Sequence, residues 1–416
     1  MHVHNRVSST ANVTSKARTL RPGQIIQGDV VKLYPNQKAQ IQLGSQKLMA
    51  KLEAPLSSGG KYHFQVQPSE DVVHLRVIGE ELPKQETGST TALLQQLSLK
   101  TSKANVNLAQ TLVDEKIPFT KEQLKQAFQL LHSHKSDAQA HQTLKGMLSA
   151  GLPITESVYK ALVSMNTTAL SDQLQSLLQQ LQENPDPSKL EKQLMYRLTQ
   201  LLGKGDQVTS PKEQFLSEIK QMLDVTGLTY ENQLARNQFH RQGMTLKSML
   251  MQMVSQNDGV LHNQSQQLLH FLNGMQIQSV NETSYAIQAN MYLPGAPLQL
   301  PGDIQLEFSS NKTESGAINP DSCRILFYLN LTNLNETIID MHVQKRAVAL
   351  TIYNDQDQLM TEKASVLRPV LKKGLEAADY KLSAVTFKPI YETKPAGDEA
   401  IRTAYQKPYM GVDYHI

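Results

Sequence analysis

The strongest constraint on this fold is a change of hydrophobic period inside residues 323–388. Ile325, Phe327, Leu329 and Leu331 recur at every second position, which places them on one face of an extended strand because successive side chains there point to opposite sides. Ile339, Met341 and Val343 keep that period, as do Val348, Leu350 and Ile352. The joints at residues 333–335 and 344–345 are short and polar, which favours an antiparallel meander. The spacing then turns helical at Leu367, Val370, Leu371 and Leu375, so a helix is predicted to cover the sheet's apolar face, with Pro369 either starting or kinking it. Leu382, Val385 and Phe387 supply a last strand. Residues 283–390 therefore read as a compact α+β module, with strands around residues 286–293 and 304–308 at its edge.

The rest of the chain reads as material attached to that module. Between Gly23 and Gly79 five short alternating runs, punctuated by turns at residues 44–45 and 68–71, predict a small barrel of the OB or SH3 kind over residues 23–80. Its aromatics are Tyr34, Tyr62 and Phe64. Two of them fall on the inward set, which favours a structural barrel over a nucleic-acid binder. Residues 80–91 form a linker, and residues 91–280 are rich in Leu, Gln and Lys with the spacing of amphipathic helices, as at Leu170, Leu174, Leu177, Leu178 and Leu181. Residues 184–187, Asn-Pro-Asp-Pro, must interrupt them. A local duplication relates residues 116–120 to 151–155, each ending in a Thr placed to cap the next helix. Gln123 completes a capping box in the first copy, where Val158 cannot in the second. The Met residues of the segment 244–254 are read as core filler. The polar residues 1–22, and the tail 391–416, are predicted to be disordered or surface-wrapping. The predicted fold class is thus α+β multidomain: a small N-terminal β-barrel, an all-α middle region and a C-terminal antiparallel sheet covered by a helix.

Composition excludes more than it assigns. With 41 Lys+Arg against 38 Asp+Glu over 416 residues, net charge makes no case for nucleic acid, and none is expected as a partner. One cysteine removes disulfide frameworks and Cys-based zinc sites, and Cys323 reads as a small core hydrophobe. No apolar run reaches the ~20 residues that span a bilayer, so membrane insertion is not expected. The chain is expected to be cytoplasmic, with export through a type III pathway, without a cleaved signal, as the alternative. No phosphate loop of usable spacing exists, the one glycine-rich candidate at residues 203–206 lacking its strand and its Lys-Ser/Thr. His2 and His4 lack further ligands, His132, His134 and His141 lack carboxylate partners at ligand spacing, and Asp355 and Asp357 lack the rest of a calcium loop. Asp340 and His342 are expected on the sheet's outer face without a nucleophile. No catalytic residue, metal or cofactor is predicted.

Residues 325–387 resemble the C-terminal domain of the flagellar hook-length control protein family. The carriers are Leu329-Asn330-Leu331, then Leu334-Asn335 where that family has a Leu-Gly turn, the Val348 strand, a helix with Leu371 and Leu375, and Ala378-Asp379-Tyr380-Lys381-Leu382 where the family has Ala-Gly followed by an aromatic or Leu. Asn335 and Asp379 thus stand where glycines are usual, and both residue types tolerate left-handed backbone better than most. The resemblance implies a non-enzymatic regulator whose C-terminal domain touches the cytoplasmic domain of the flagellar type III export gate and influences substrate switching. Asn333, Leu334 and Asn335 are the expected partner-binding residues. Two readings of other classes stay open: a nucleic-acid binder using the barrel, and a helical scaffold unrelated to export.

Overall fold

The computed structural model describes residues 20–390 apart from 44–45, 55, 70–72, 83–88, 135–137, 204–218, 221, 223–244, 257–258, 283–285, 299 and 314–316. Residues 1–19 of the expected N-terminal tail, with its export signal, the tail 391–416, half of the 80–91 linker, the turn at 44–45 and most of the glycine-rich stretch at 203–206 lie outside the described residues. The chain divides into two compact units, Met1–Ser149 and Ala150–Ile416. The predicted helical region is therefore shared between the units.

In the first unit, β1 (Ile25–Tyr34), β2 (Lys38–Leu43), β3 (Gln46–Leu52), β4 (Lys61–Gln67) and β5 (Val73–Ile78) close into a barrel in the order β1-β2-β3-β5-β4. β3 and β5 run parallel and the other pairs antiparallel, the OB arrangement rather than the SH3 one. Closure depends on β1, which pairs with β4 through its first half and with β2 through its second, with a bulge between Val30 and Lys32. Gly28 sits at the change of partner, where a Cβ would lie 2.4 Å from Leu43 Cδ2. Ile26, Val30, Ile41, Leu52, Tyr62, Phe64 and Leu75 fill the interior. Tyr62 and Phe64 are thus core residues, as their alternation predicts.

Four helices complete this unit: α1 (Ser89–Gln96), α2 (Lys103–Asp114), α3 (Lys121–Ser133) and α4 (Ala138–Ala150). Phe119, between α2 and α3, forms a β-bridge with Ile25 through two backbone hydrogen bonds of 2.7 and 3.1 Å. This bridge explains why the boundary inferred from composition near residue 80 does not separate barrel from helices. Thr120 caps α3 with Gln123 returning its side chain to the Thr120 N–H, and Thr155 caps the following helix α5 (Glu156–Thr167) by accepting from the Val158 N–H alone. The duplication shows in the backbone at its first residue as well as at the caps: Lys116 and Gly151 both adopt positive φ, 53° and 67°.

In the second unit, α5, α6 (Leu170–Gln182), α7 (Lys189–Leu202), α8 (Leu246–Gln256) and α9 (Val260–Ser279) precede a seven-stranded sheet. The break at residues 184–187 falls between α6 and α7. The heptad-like Leu residues are buried: Leu170, Leu174, Leu177 and Leu181 share one core with Leu194, Leu198, Met249, Met253, Phe271 and Leu272. Met249 and Met253 are core filler, whereas Met251 faces outward. Where α9 crosses α5, Gly274 permits the contact, since a Cβ there would meet the Ala161 carbonyl at 2.5 Å. The N-terminus of α6 has no capping side chain of its own. Asp303, 132 residues later, accepts from the Ser171 N–H at 3.2 Å and from its hydroxyl.

The sheet runs β12-β11-β10-β9-β8-β7-β6, with β6 (Val280–Glu282), β7 (Ala286–Leu293), β8 (Ile304–Lys312), β9 (Ile318–Leu331), β10 (Asn335–Gln344), β11 (Ala347–Tyr353) and β12 (Lys381–Lys388). It is an antiparallel meander up to β11, but β12 pairs parallel to β11. The helix between those strands, α10 (Asp357–Ala377), is the reason, because it carries the chain back to the starting end of β11. Leu293, Ile304 and Leu306 belong to the helical core, so β7 and β8 tie the module to the helices, and β7 is an interior strand of the sheet.

Candidate functional site

The module beyond β8 has a small core of its own. Val343, Val348 and Leu350 are buried there, with Cys323, Ile339, Met341, Leu375, Tyr380, Leu382 and Val385 packed around them. Cys323 is a half-buried member of that cluster, and burial raises its thiol pKa, which suits a packing role rather than a reactive one.

Its organising polar residue is one the sequence reading passed over. Asn354, between β11 and α10, is 1% exposed. Its side-chain amide donates to the Leu334 carbonyl at 2.7 Å, the Glu336 carbonyl at 2.9 Å and Thr337 Oγ1 at 2.9 Å. Its Oδ1 accepts from the Gln356 N–H at 2.8 Å, and its backbone N–H donates to the Lys388 carbonyl at 2.9 Å. The side chain thus fixes the β9–β10 turn and the entry to α10, and the backbone of the same residue holds the end of β12. The only signal it left in the sequence was an Asn just after a strand, which a turn uses as readily.

The expected partner-binding residues Asn333, Leu334 and Asn335 occupy that β9–β10 turn. Asn333 and Asn335 are exposed and Leu334 is half-buried. Gln356 Nε2 reaches the Asn333 carbonyl at 3.5 Å. Asn335 has φ 55° and Asp379, after α10, has φ 65°. At the opposite end of the strands Lys345 and Arg346 also take positive φ in the β10–β11 turn. Arg346 Nη1 bonds Asp379 Oδ2 at 2.8 Å, and its guanidinium lies 5.4 Å from the Tyr380 ring centre.

Two expectations about this module are corrected. Asp340 is not a surface residue: it is 4% exposed and holds Arg324 in a two-pronged pair, Nε to Oδ1 at 2.8 Å and Nη2 to Oδ2 at 2.7 Å. This hydrogen bonding raises the Arg324 pKa. His342 Nε2 lies 3.1 Å from Asp340 Oδ1. A carboxylate engaged in this way neutralises Arg324 and pins β9 to β10. Secondly, α10 meets the sheet with only part of the predicted stripe: Leu375 packs in the small core, while Leu371 stays exposed. Pro369 lies inside the helix rather than starting it, and Leu367 and Val370 are 65% and 69% exposed, with Val366 at 76%. Of the α10 residues whose burial is described, Ala364 and Leu375 are half-buried; they are eleven residues, three turns, apart on one helical face, so the less exposed side is rotated away from Val366, Leu367 and Val370. Arg368, Lys372 and Lys373 are exposed on the same stretch.

The barrel presents the other surface with functional chemistry. Tyr34 pairs with Lys38, and Lys38 with Lys51, across β1, β2 and β3, so these side chains share the outer face. Lys32 and Met49 flank them through Gln40. Lys32 Nζ lies 5.2 Å from the Tyr34 ring centre. On β4, His63 is 2% exposed and neither ring nitrogen has a hydrogen-bond partner among the described residues. Elsewhere in the unit His132 is exposed, while His134 and His141 are half-buried. Among the described residues no group of three or more His, Cys, Asp or Glu is placed to hold a metal ion, and no helix is long and apolar enough to cross a membrane.

Residues 3–76 match the family model described as TP0910 S1-like domain, a stretch that takes in β1 to β4 and most of β5. Over 125 residues the chain is 33% identical to "Uncharacterized protein YlqG" of Bacillus subtilis (strain 168), which covers 30% of this chain and 21% of that protein. The match thus spans about a fifth of the relative's length. No solved structure matches the chain.

Proposed function

We propose that this chain is a non-enzymatic interaction protein of the hook-length-control kind, whose C-terminal module docks on the cytoplasmic domain of a type III export gate and influences which substrates pass. The observation that carries this reading is the backbone at Asn335 and Asp379. Both take left-handed φ, and both stand where the family pattern has glycine, the residue for which that conformation carries no steric cost. The pattern therefore agrees with the chain in backbone geometry as well as in apolar spacing. The order of three meandering strands, a helix and a last strand supports the same reading. Titration of the full-length chain with the isolated cytoplasmic domain of the export gate tests it, by interferometry or calorimetry at near-physiological salt. Saturable binding is expected, and no binding at micromolar concentrations would sink the proposal.

A second reading has its own observation. The exposed Tyr34 with Lys32 against its ring, in line with Lys38 and Lys51, offers a stacking surface inside a basic strip, which is what single-stranded nucleic acid uses on barrels of this type. Here the full chain should retain a short oligonucleotide at low salt and release it as salt rises, and Tyr34→Ala should weaken retention. Equal retention by the variant would discard this reading.

A further inference from the structure

The part of α10 from Val366 to Gly374 is unusual for a helix joining two strands of one sheet, because every residue along it is exposed. Its most exposed members are aliphatic: Val366, Leu367 and Val370. Their spacing of one, three and four residues places them on one side of the helix, and Gly374, one turn further on, has open space where a side chain would be. Such a stripe costs solubility in isolation, and apolar residues at this spacing are the anchors of helix-in-groove recognition. The charges on the same stretch have one sign. Arg368, Lys372 and Lys373 are cationic, no acidic residue occurs between Val366 and Leu375, and Lys372 makes a loose ion pair with Glu376 at 3.9 Å. The helix is held at both ends, by the Asn354 contacts before it and the Arg346–Asp379 pair after it.

We infer that this segment of α10 is the docking element of the module and that it inserts into an apolar groove with an acidic rim on the partner protein. The inference rests on the reading of the C-terminal module as a docking domain for the export gate, and adds which surface makes contact and what chemistry the gate must present. A protein groove is favoured over a lipid surface because the stripe is short, is purely aliphatic with no aromatic residue to sit at a membrane interface, and is fixed within a folded module. Lys373, seven residues or two turns from Val366, borders the stripe, and positive charge there adds attraction to an acidic rim and makes association dependent on salt.

The test compares three full-length proteins, the wild type, Leu367→Asp/Val370→Asp and Arg368→Glu/Lys373→Glu, for binding to the cytoplasmic domain of the export gate at two salt concentrations. Thermal unfolding checks that each variant is folded, which the exposure of all four residues leads one to expect. The apolar pair should weaken binding about tenfold or more, as loss of central anchors does. The charge pair should weaken it less and remove most of its salt dependence. Wild-type binding that both variants preserve overturns the inference while leaving the export-gate reading intact. Absence of wild-type binding overturns both. Vesicles of phosphatidylcholine with about one-third phosphatidylglycerol form a further arm: if they capture the wild type but not Leu367→Asp/Val370→Asp, and the gate domain binds all three proteins equally, the stripe is a lipid-binding surface and the groove is rejected.

Discussion

Asn354 shows how much of this module depends on one residue with no periodicity to announce it. Its amide shares two hydrogens among three acceptors and its oxygen accepts one bond, all at a residue that is 1% exposed, so truncation leaves two carbonyls, the Thr337 hydroxyl and the Gln356 N–H without that partner. Asn354→Ala should lower stability by about 2–4 kcal/mol, read as a fall in the midpoint of chemical unfolding; a change within experimental error would mean that water replaces the amide at no cost. His63 makes a prediction of a different kind. Burial lowers its pKa from 6.5 to about 4, so the folded chain resists a proton that the unfolded chain accepts. Its contribution is therefore fully present above pH 6.5, declines as the pH falls below that value and levels off below about 4, for a total loss of about 3 kcal/mol. His63→Leu should remove that part of the acid sensitivity, and an unchanged pH profile would contradict the assignment. Neither residue was legible as important in the sequence. A single Asn after a strand and a single His among barrel residues carry no pattern, because their roles come from contacts with residues distant in the chain. The ion pair of Asp340 with Arg324 was hidden for the same reason: alternation placed Asp340 on the polar side of β10 but could not say whether that side was covered.

At the scale of elements the sequence was more informative, because helices and strands are written in local spacing. The five barrel strands, the Leu-rich helices, the break at residues 184–187 and the two Thr caps are all where their patterns place them. The duplication even extends to the helix ends, where Gly151 and Lys116 take the same left-handed turn. Lys116 bears the steric cost that Gly151 avoids, and its ion pair with Asp29 is long, at 4.0 Å. Lys116→Gly should therefore stabilise the chain by about 1 kcal/mol, visible as a higher unfolding midpoint; a lower midpoint would mean that the Lys side chain contributes more than the strain removes. Gly274→Ala should act in the opposite sense, by about 1–3 kcal/mol, since the added methyl must displace α5 from α9. What spacing could not supply was the phase of α10. An apolar stripe identifies a helix with something to bury, but not which part of it meets its own sheet, and here the sheet takes Leu375 while Val366, Leu367 and Val370 face out.

At the scale of the whole molecule, one unit is a barrel with its attached helices, similar over residues 3–76 to an S1-like domain, and the other is a helical core continued by a sheet whose far end is proposed to dock. The sharing of the helical region between the units was not legible, because it rests on the bridge between Ile25 and Phe119, two residues 94 positions apart in the chain, and on sheet residues such as Leu306 entering the helical core. The central claim is that the far end of the sheet, with α10, meets the partner. Hydrogen–deuterium exchange of the full-length chain, with and without a saturating amount of the export-gate cytoplasmic domain, tests this most directly. The account predicts slowed exchange confined to the β9–β10 turn around residues 333–335 and to residues 366–374 of α10. Slowed exchange on the β1–β2–β3 face of the barrel with α10 unchanged, or no change anywhere in the chain, would contradict it.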